Sequence, residues 1–198
     1  MEPTVDTAAV SPEARHWLGD GTPGDQTLVF ADMVDSTSHL IRLGDAAWST
    51  LLDALDAVRD DLACRHGGRT VNVAGDGALI TFPSTDSAVS FCEAWHIACR
   101  LSGIEIRSGI HRSVVQHRAN GDLAGLGVHL AARLQATAEP GQILVSDRAA
   151  CASSRPFTPR GMFLLKGIPA QVEAFEPESP VGLGSSPESR PSHQRCNL

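Results

Sequence analysis

Two aspartates three residues apart, Asp32 and Asp35, sit in the stretch FADMVDST at residues 30 to 37, where an apolar, strand-forming run gives way to hydroxyl residues that favour helix starts. A third, Asp76, stands between glycines in AGDGA at residues 74 to 78. An ionised carboxylate at the end of a buried strand is costly unless something pairs with it. If the strand ending at Asp32 and the turn carrying Asp76 are neighbours in one sheet, the carboxylates converge. They then offer hard oxygen ligands to a pair of divalent cations. Simpler roles exist for some of these residues. Asp35 or Ser36 serves as the N-cap of the helix that follows, and an Asp-Gly pair is a common hairpin turn. Asp32 is harder to account for in this way.

The elements that must position these groups are legible as alternating periods. QTLVFADM is a continuous apolar run of strand length, as a central strand buried on both faces would be. RTVNVAGDGALITF reads as two strands about a tight turn whose glycines supply the backbone angles. AAWSTLLDALDAVRDDLACRH places Trp48, Leu51, Leu52, Leu55, Val58 and Leu62 at helical spacing. STDSAVSFCEAWHIACRLSG predicts a second long helix, from a Ser84 cap to Gly103. IEIRSGIHRSVVQ alternates like a strand, AGLGVHLAARLQATAEPG gives a helix stopped at Pro140 and Gly141, and QILVS a short strand. MFLLKGIPAQVEAFEP suggests a pair of closing strands. Helices and strands intermix, which predicts an α/β sandwich with helices against a mixed sheet.

A chain of 198 residues is long enough for one core. Residues 1 to 25 are expected to be a lead-in with a short helix, marked by Ser11, Pro12 and Glu13. Residues 26 to 177 are expected to form the domain. Residues 178 to 198, rich in proline and serine with little to bury, are expected to form a flexible tail. A formal charge of -7 argues against broad electrostatic binding to nucleic acid or anionic lipid, so a polyanionic ligand must be met locally or through metal. No apolar run has the length to span a bilayer, and the N-terminus lacks the pattern of a signal peptide; the expectation is a cytoplasmic protein with no membrane partner. The five cysteines, Cys64, Cys92, Cys99, Cys151 and Cys196, form no CxxC pair and are expected to be reduced thiols.

TLVFADMVDST, LGDAAW, HGGRTVNVAGDGALITF, IRSGIH, GVHLAARLQATAEPGQILVS and LLKGIP occur in an order and spacing that resemble the class III nucleotidyl cyclase catalytic domain, as found in bacterial adenylate cyclases. The resemblance runs from about Thr27 to Glu176. It implies a mixed, mainly antiparallel sheet with a βαββαβ ferredoxin-like core covered by helices, and conversion of a nucleoside triphosphate to a 3',5'-cyclic nucleotide and pyrophosphate. It further implies two Mg2+ or Mn2+ ions per active site, held by the carboxylates of Asp32 and Asp76 and the backbone carbonyl of Met33. The backbone amides of Val34, Asp35, Ser36 and Thr37 would face the phosphates at a helix N-terminus. Arg133 matches the arginine that follows charge developing on the α-phosphate. His129, one turn earlier, matches a ribose-orienting position, and Lys166 a contact to the terminal phosphates.

Base recognition departs from the family pattern. Adenylate cyclases usually carry a lysine where this chain has Asn72, whereas the second base-reading residue is present as Asp122. A carboxylate only accepts hydrogen bonds, so Asp122 favours a base with an exocyclic amine, adenine or cytosine; Asn72 can satisfy adenine or, flipped, guanine. The pair leans to ATP. Ser113 stands where the family commonly has a glycine-containing turn, and His111 reads as structural. In the family each site draws metal ligands from one subunit and the base, ribose and arginine contacts from the other. All these residue types occur in this chain, so a homodimer with two sites is expected. The alternatives are a nucleotide-binding dimeric regulatory domain with little turnover, or a cyclase of other base specificity.

Overall fold

The computed structural model describes residues 25–117 and 122–178. The lead-in helix expected from the sequence, and residues 179 to 198 of the expected tail, lie outside the described residues. Seven strands form the main sheet: β1 (Asp25–Met33), β2 (Arg69–Ala74), β3 (Gly77–Phe82), β4 (Ile106–Val114), β7 (Ile143–Ser146), β8 (Phe157–Phe163) and β9 (Val172–Pro177). Their spatial order is β2-β3-β1-β4-β7-β9-β8, and every neighbouring pair is antiparallel except β4 and β7. Two short strands, β5 (Gln116–His117) and β6 (Leu123–Ala124), make a separate ribbon. The helices are α1 (Ser36–Leu43), α2 (Asp45–Arg65), α3 (Thr85–Leu101), α4 (Leu126–Thr137) and α5 (Asp147–Cys151). This is the mixed, mainly antiparallel architecture expected from the sequence.

The apolar run of β1 is explained by its place between β3 and β4, with a layer of helices on each face. Val29, Ala31 and Met33 enter the large core with Trp48 and Leu55 of α2 and Val89, Phe91 and Trp95 of α3. Leu28 points the other way, into a cluster with Leu79 and Ala131 of α4. By the same alternation Asp32 belongs to the α4 side of the sheet. Helix α4 sits unusually close to that side because Gly109 of β4 has no side chain. A Cβ there would lie 2.3 Å from the backbone nitrogen of Gln135 and 2.4 Å from the Ala131 carbonyl oxygen. Ser113 finds its space in the same manner, against Gly127 at the start of α4.

Helix α3 begins as expected, with the Ser84 hydroxyl accepting the Ser87 amide at 3.1 Å. The closing strands differ from expectation. The first is Phe157–Phe163, and residues 164 to 171 form a loop, so Lys166 is not on a strand but exposed in that loop. Leu165 and Ile168 are apolar because they pack against Leu134 and Ala138 beside α4, not because they pair in a ladder. Of the cysteines, Cys64, Cys92 and Cys99 are free, whereas Cys151 is disulfide-bonded, which corrects the expectation of reduced thiols throughout. Burial pushes the Cys92 thiol up to about 12, leaving it inert. Among the described residues no helix is long and apolar enough to cross a membrane.

Two histidines are built into the interior. His96 of α3 donates from Nδ1 to the Gly141 carbonyl at 3.2 Å and accepts at Nε2 from the Ser108 hydroxyl at 2.9 Å, fastening α3 to β4 and to the turn after α4. His111 of β4 shares a 2.8 Å hydrogen bond with Ser146 of β7, the structural role read from the sequence. Burial lowers both imidazoles to about 4. The unfolded chain therefore binds more protons than the fold between about pH 6.5 and 4, so acidification through that window destabilises the fold. The slope is on the order of 1 kcal/mol per pH unit for each imidazole. Urea midpoints at pH 7 and pH 4.5 are expected to drop less for His96→Gln than for the wild type; equal drops would contradict this role.

Candidate active site

The pairing of β1 with both neighbours brings the acidic residues together. Asp32 lies opposite Gly77 of β3 on one side and Arg107 of β4 on the other. Asp76 immediately precedes Gly77, in the two-residue turn Gly75-Asp76 that joins β2 to β3, where Gly75 takes a φ of 63°. Asp32 on β1 and Asp76 in the turn that leads into the adjacent β3 are thus at the same end of the sheet, where neighbouring strands are spaced about 4.8 Å apart. Both line one narrow cleft, with Met33 beside them and Leu52, Asp56 and Arg59 of α2 as its wall. Arg59 is buried and held by Asp56 at 2.5 Å and Asp60 at 3.0 Å, so it backs the cleft as a neutralised group.

The carboxylate of Asp32 is asymmetrically held. Its Oδ2 accepts from Arg107 Nη2 at 3.0 Å and from Gln135 Nε2 at 3.2 Å. Among the described residues nothing donates to Oδ1, and Asp76 makes no hydrogen bond or ion pair. The Arg107 Nε atom is buried without a partner, so this guanidinium is incompletely satisfied where it stands. Neither Arg107 nor Gln135 was singled out from the sequence. Arg107 becomes visible only once the β1–β4 register is known. Gln135 had a weak signal, as the polar member of an inner helix stripe made otherwise of Gly127, Ala131 and Leu134.

Oxygen donors with an open lone pair suit a hard divalent cation. Among the described residues no group of three or more His, Cys, Asp or Glu side chains is placed to hold a metal. A cation here would rest on two carboxylates, a backbone carbonyl at Met33, and oxygens brought by its ligand, a donor set that fits Mg2+ or Mn2+ accompanied by phosphates.

The turn that follows β1 corrects two expectations. Asp35 stands at the N-cap position of α1, but in the left-handed region at φ 53° and ψ 33°, and its side chain makes no capping hydrogen bond. The Val34 amide is committed to the Glu105 carbonyl at 2.8 Å and cannot also face a ligand. The amides of Ser36 and Thr37 have no intrahelical acceptor and no side-chain cap, so the anion-binding capacity of the turn rests on the helix N-terminus itself.

The remaining sequence-predicted residues sit elsewhere. His129 and Arg133 lie one turn apart on α4 and are both exposed, opposite its buried stripe. Asn72 is exposed on the sheet-edge strand β2, next to a register shift between Thr70 and Asn72. Asp122 is half-buried, and its carboxylate accepts the Leu123 amide at 2.9 Å. Lys166 is exposed in the loop between β8 and β9. None of these five lines the cleft of Asp32 and Asp76 in the same chain.

No family model matches the sequence. An uncharacterized protein of Mycobacterium tuberculosis (strain ATCC 25618 / H37Rv) is 35% identical over 152 residues, which is 74% of this chain and 39% of the relative. The chain thus spans about two-fifths of the length of the first curated relatives it matches. Among solved structures, the adenylyl cyclase CyaB from P. aeruginosa superposes with a TM-score of 0.71 at 25% identity, covering 81% of this chain and 97% of that one. An adenylate/guanylate cyclase/hydrolase from Silicibacter pomeroyi gives a TM-score of 0.64 at 26% identity, over 80% and 98%. The seven-stranded sheet, the helices that cover it and these likenesses agree: the chain has the fold of class III nucleotidyl cyclase catalytic domains and is similar to them.

Proposed function

We propose that this chain converts ATP to 3',5'-cyclic AMP and pyrophosphate at two equivalent sites, each shared between the protomers of a homodimer. The observation that carries the reading is the separation of the site residues within one chain. Asp32 and Asp76 share a cleft, while Asn72, Asp122, His129, Arg133 and Lys166 lie away from it. A second copy, placed head to tail, would bring the second group over the first.

Two divalent cations, when bound there, would lower the pKa of the ribose 3'-hydroxyl and carry the charge of the departing pyrophosphate. The reaction forms a bond from the 3'-oxygen to the α-phosphorus and breaks the bond from that phosphorus to the bridging oxygen of the β-phosphate. The chain's own groups hold the reactants. The α1 N-terminus meets phosphate oxygens with the Ser36 and Thr37 amides. Arg107, half-exposed beside Asp32, becomes available to a phosphate as a cation takes over the carboxylate. Arg133 of the opposite protomer would follow charge developing on the α-phosphate, and His129 would orient the ribose. Asp122 accepts from the adenine amine, and Asn72 completes the base contact.

Purified protein with Mn2+ and each of the four nucleoside triphosphates is expected to yield cyclic AMP from ATP, read by mass spectrometry. No cyclic product from any of them would contradict the enzyme reading and leave a nucleotide-binding regulatory domain; a different cyclic product would correct the base. Asp32→Ala and Asp76→Ala are each expected to abolish product. Mixing equal amounts of the inactive Asp32→Ala and Arg133→Ala proteins is expected to restore activity to about a quarter of wild type, since half the dimers would carry one intact site of two. No restoration would contradict the shared site. Asn72→Lys is expected to raise the preference for ATP over GTP; unchanged preference would remove Asn72 from the base pocket.

A further inference from the structure

The buried amide of Gln135 has no place in the roles assigned so far. It projects from the inner stripe of α4, between Leu134 and Ala138, and is only 8% exposed. An apolar side chain of similar size would fill that space without the cost of burying an amide. What the amide does is donate to Asp32 Oδ2 at 3.2 Å, from a helix brought within reach by the absent side chain of Gly109.

Two donors converge on that single oxygen, Arg107 and Gln135, and they respond differently to a cation. The guanidinium carries a charge that a divalent ion at the same carboxylate would repel. The glutamine amide is neutral and can keep its hydrogen bond whether or not the ion is there. It therefore can hold the carboxylate in one rotation throughout, leaving Oδ1 without a donor among the described residues. Hydrogen bonds to a metal-binding carboxylate from groups that do not touch the metal generally set its orientation and the affinity of the site.

We infer that Gln135 is a positioning residue for the metal half-site, fixing the orientation of Asp32 through its amide and thereby setting the cation affinity of the protomer. The inference rests on the reading of Asp32 as a metal ligand. It has a structural corollary: the helix that presents His129 and Arg133 on its outer face fastens the carboxylate of its own protomer with its inner face.

The test uses the full chain and Mn2+ alone, with free Mn2+ followed by electron paramagnetic resonance, for the wild type, Asp32→Asn, Gln135→Met and Gln135→Asn. Gln135→Met keeps the volume and removes the donor; Gln135→Asn keeps an amide too short to reach, and serves if the first variant does not fold. Asp32→Asn is expected to lose binding, and each Gln135 variant to weaken it about tenfold. In turnover at saturating nucleotide, raising Mn2+ is expected to return kcat of the Gln135 variants toward the wild-type value, a recovery that a merely misfolded helix would not show. Mn2+ binding by a folded Gln135 variant within twofold of wild type, with Asp32→Asn impaired, would overturn the inference alone. Absence of saturable Mn2+ binding by the wild type, or equal binding by Asp32→Asn, would overturn the metal-ligand reading beneath it.

Discussion

A carboxylate at the end of a doubly buried strand must be neutralised, and the surroundings of Asp32 follow from that requirement. Arg107 stands directly across the β1–β4 ladder from it, at a distance where charge and hydrogen bonding act together. Gln135 reaches it from α4, and α4 can sit close enough only because position 109 is glycine. On the other flank, the β1–β3 register sets Asp76 beside the same strand end. The carboxylate pair is thus a product of sheet registry, and a one-residue slip of β1 would turn Asp32 to the opposite face, among the side chains of the main core.

Registry in turn depends on burial. The interior is divided into a large cluster under α2 and α3 and smaller ones between the sheet and α4 or the β8–β9 loop. β1 supplies side chains to clusters on both of its faces, so its alternation is specified twice. The buried histidines fasten the neighbouring layers: His96 ties α3 to β4 and to the turn before β7, and His111 ties β4 to β7. The N-terminus of α1, by contrast, is left without a side-chain cap.

Much of this was legible in the sequence, and the parts that were not share a cause. The unbroken apolar run of QTLVFADM announced a strand with two covered faces, the Asp-Gly turn announced the hairpin, and Ser84 announced the start of α3. These are local signals, readable because period and capping chemistry act over a few residues. Arg107, Gln135 and the committed amide of Val34 depend on contacts across 75, 103 and 71 positions respectively, which no window of sequence contains. The loop around Lys166 misled for a related reason. Leu165 and Ile168 looked like strand residues, and only their packing beside α4 explains them. Asp35 looked like a capping residue by type and position, yet its backbone takes the left-handed conformation and its side chain leaves the helix end open.

The account stands on one spatial claim, that cations collect between two carboxylates of one protomer while a second protomer grips the nucleotide. A crystal structure of the protein with Mn2+ and a non-hydrolysable ATP analogue, phased to show manganese by its anomalous signal, tests it directly. The expected result is manganese within bonding distance of both Asp32 and Asp76 of one protomer, with the base against Asn72 and Asp122 of the other. Manganese bound elsewhere, or a nucleotide held entirely by one chain, would contradict it.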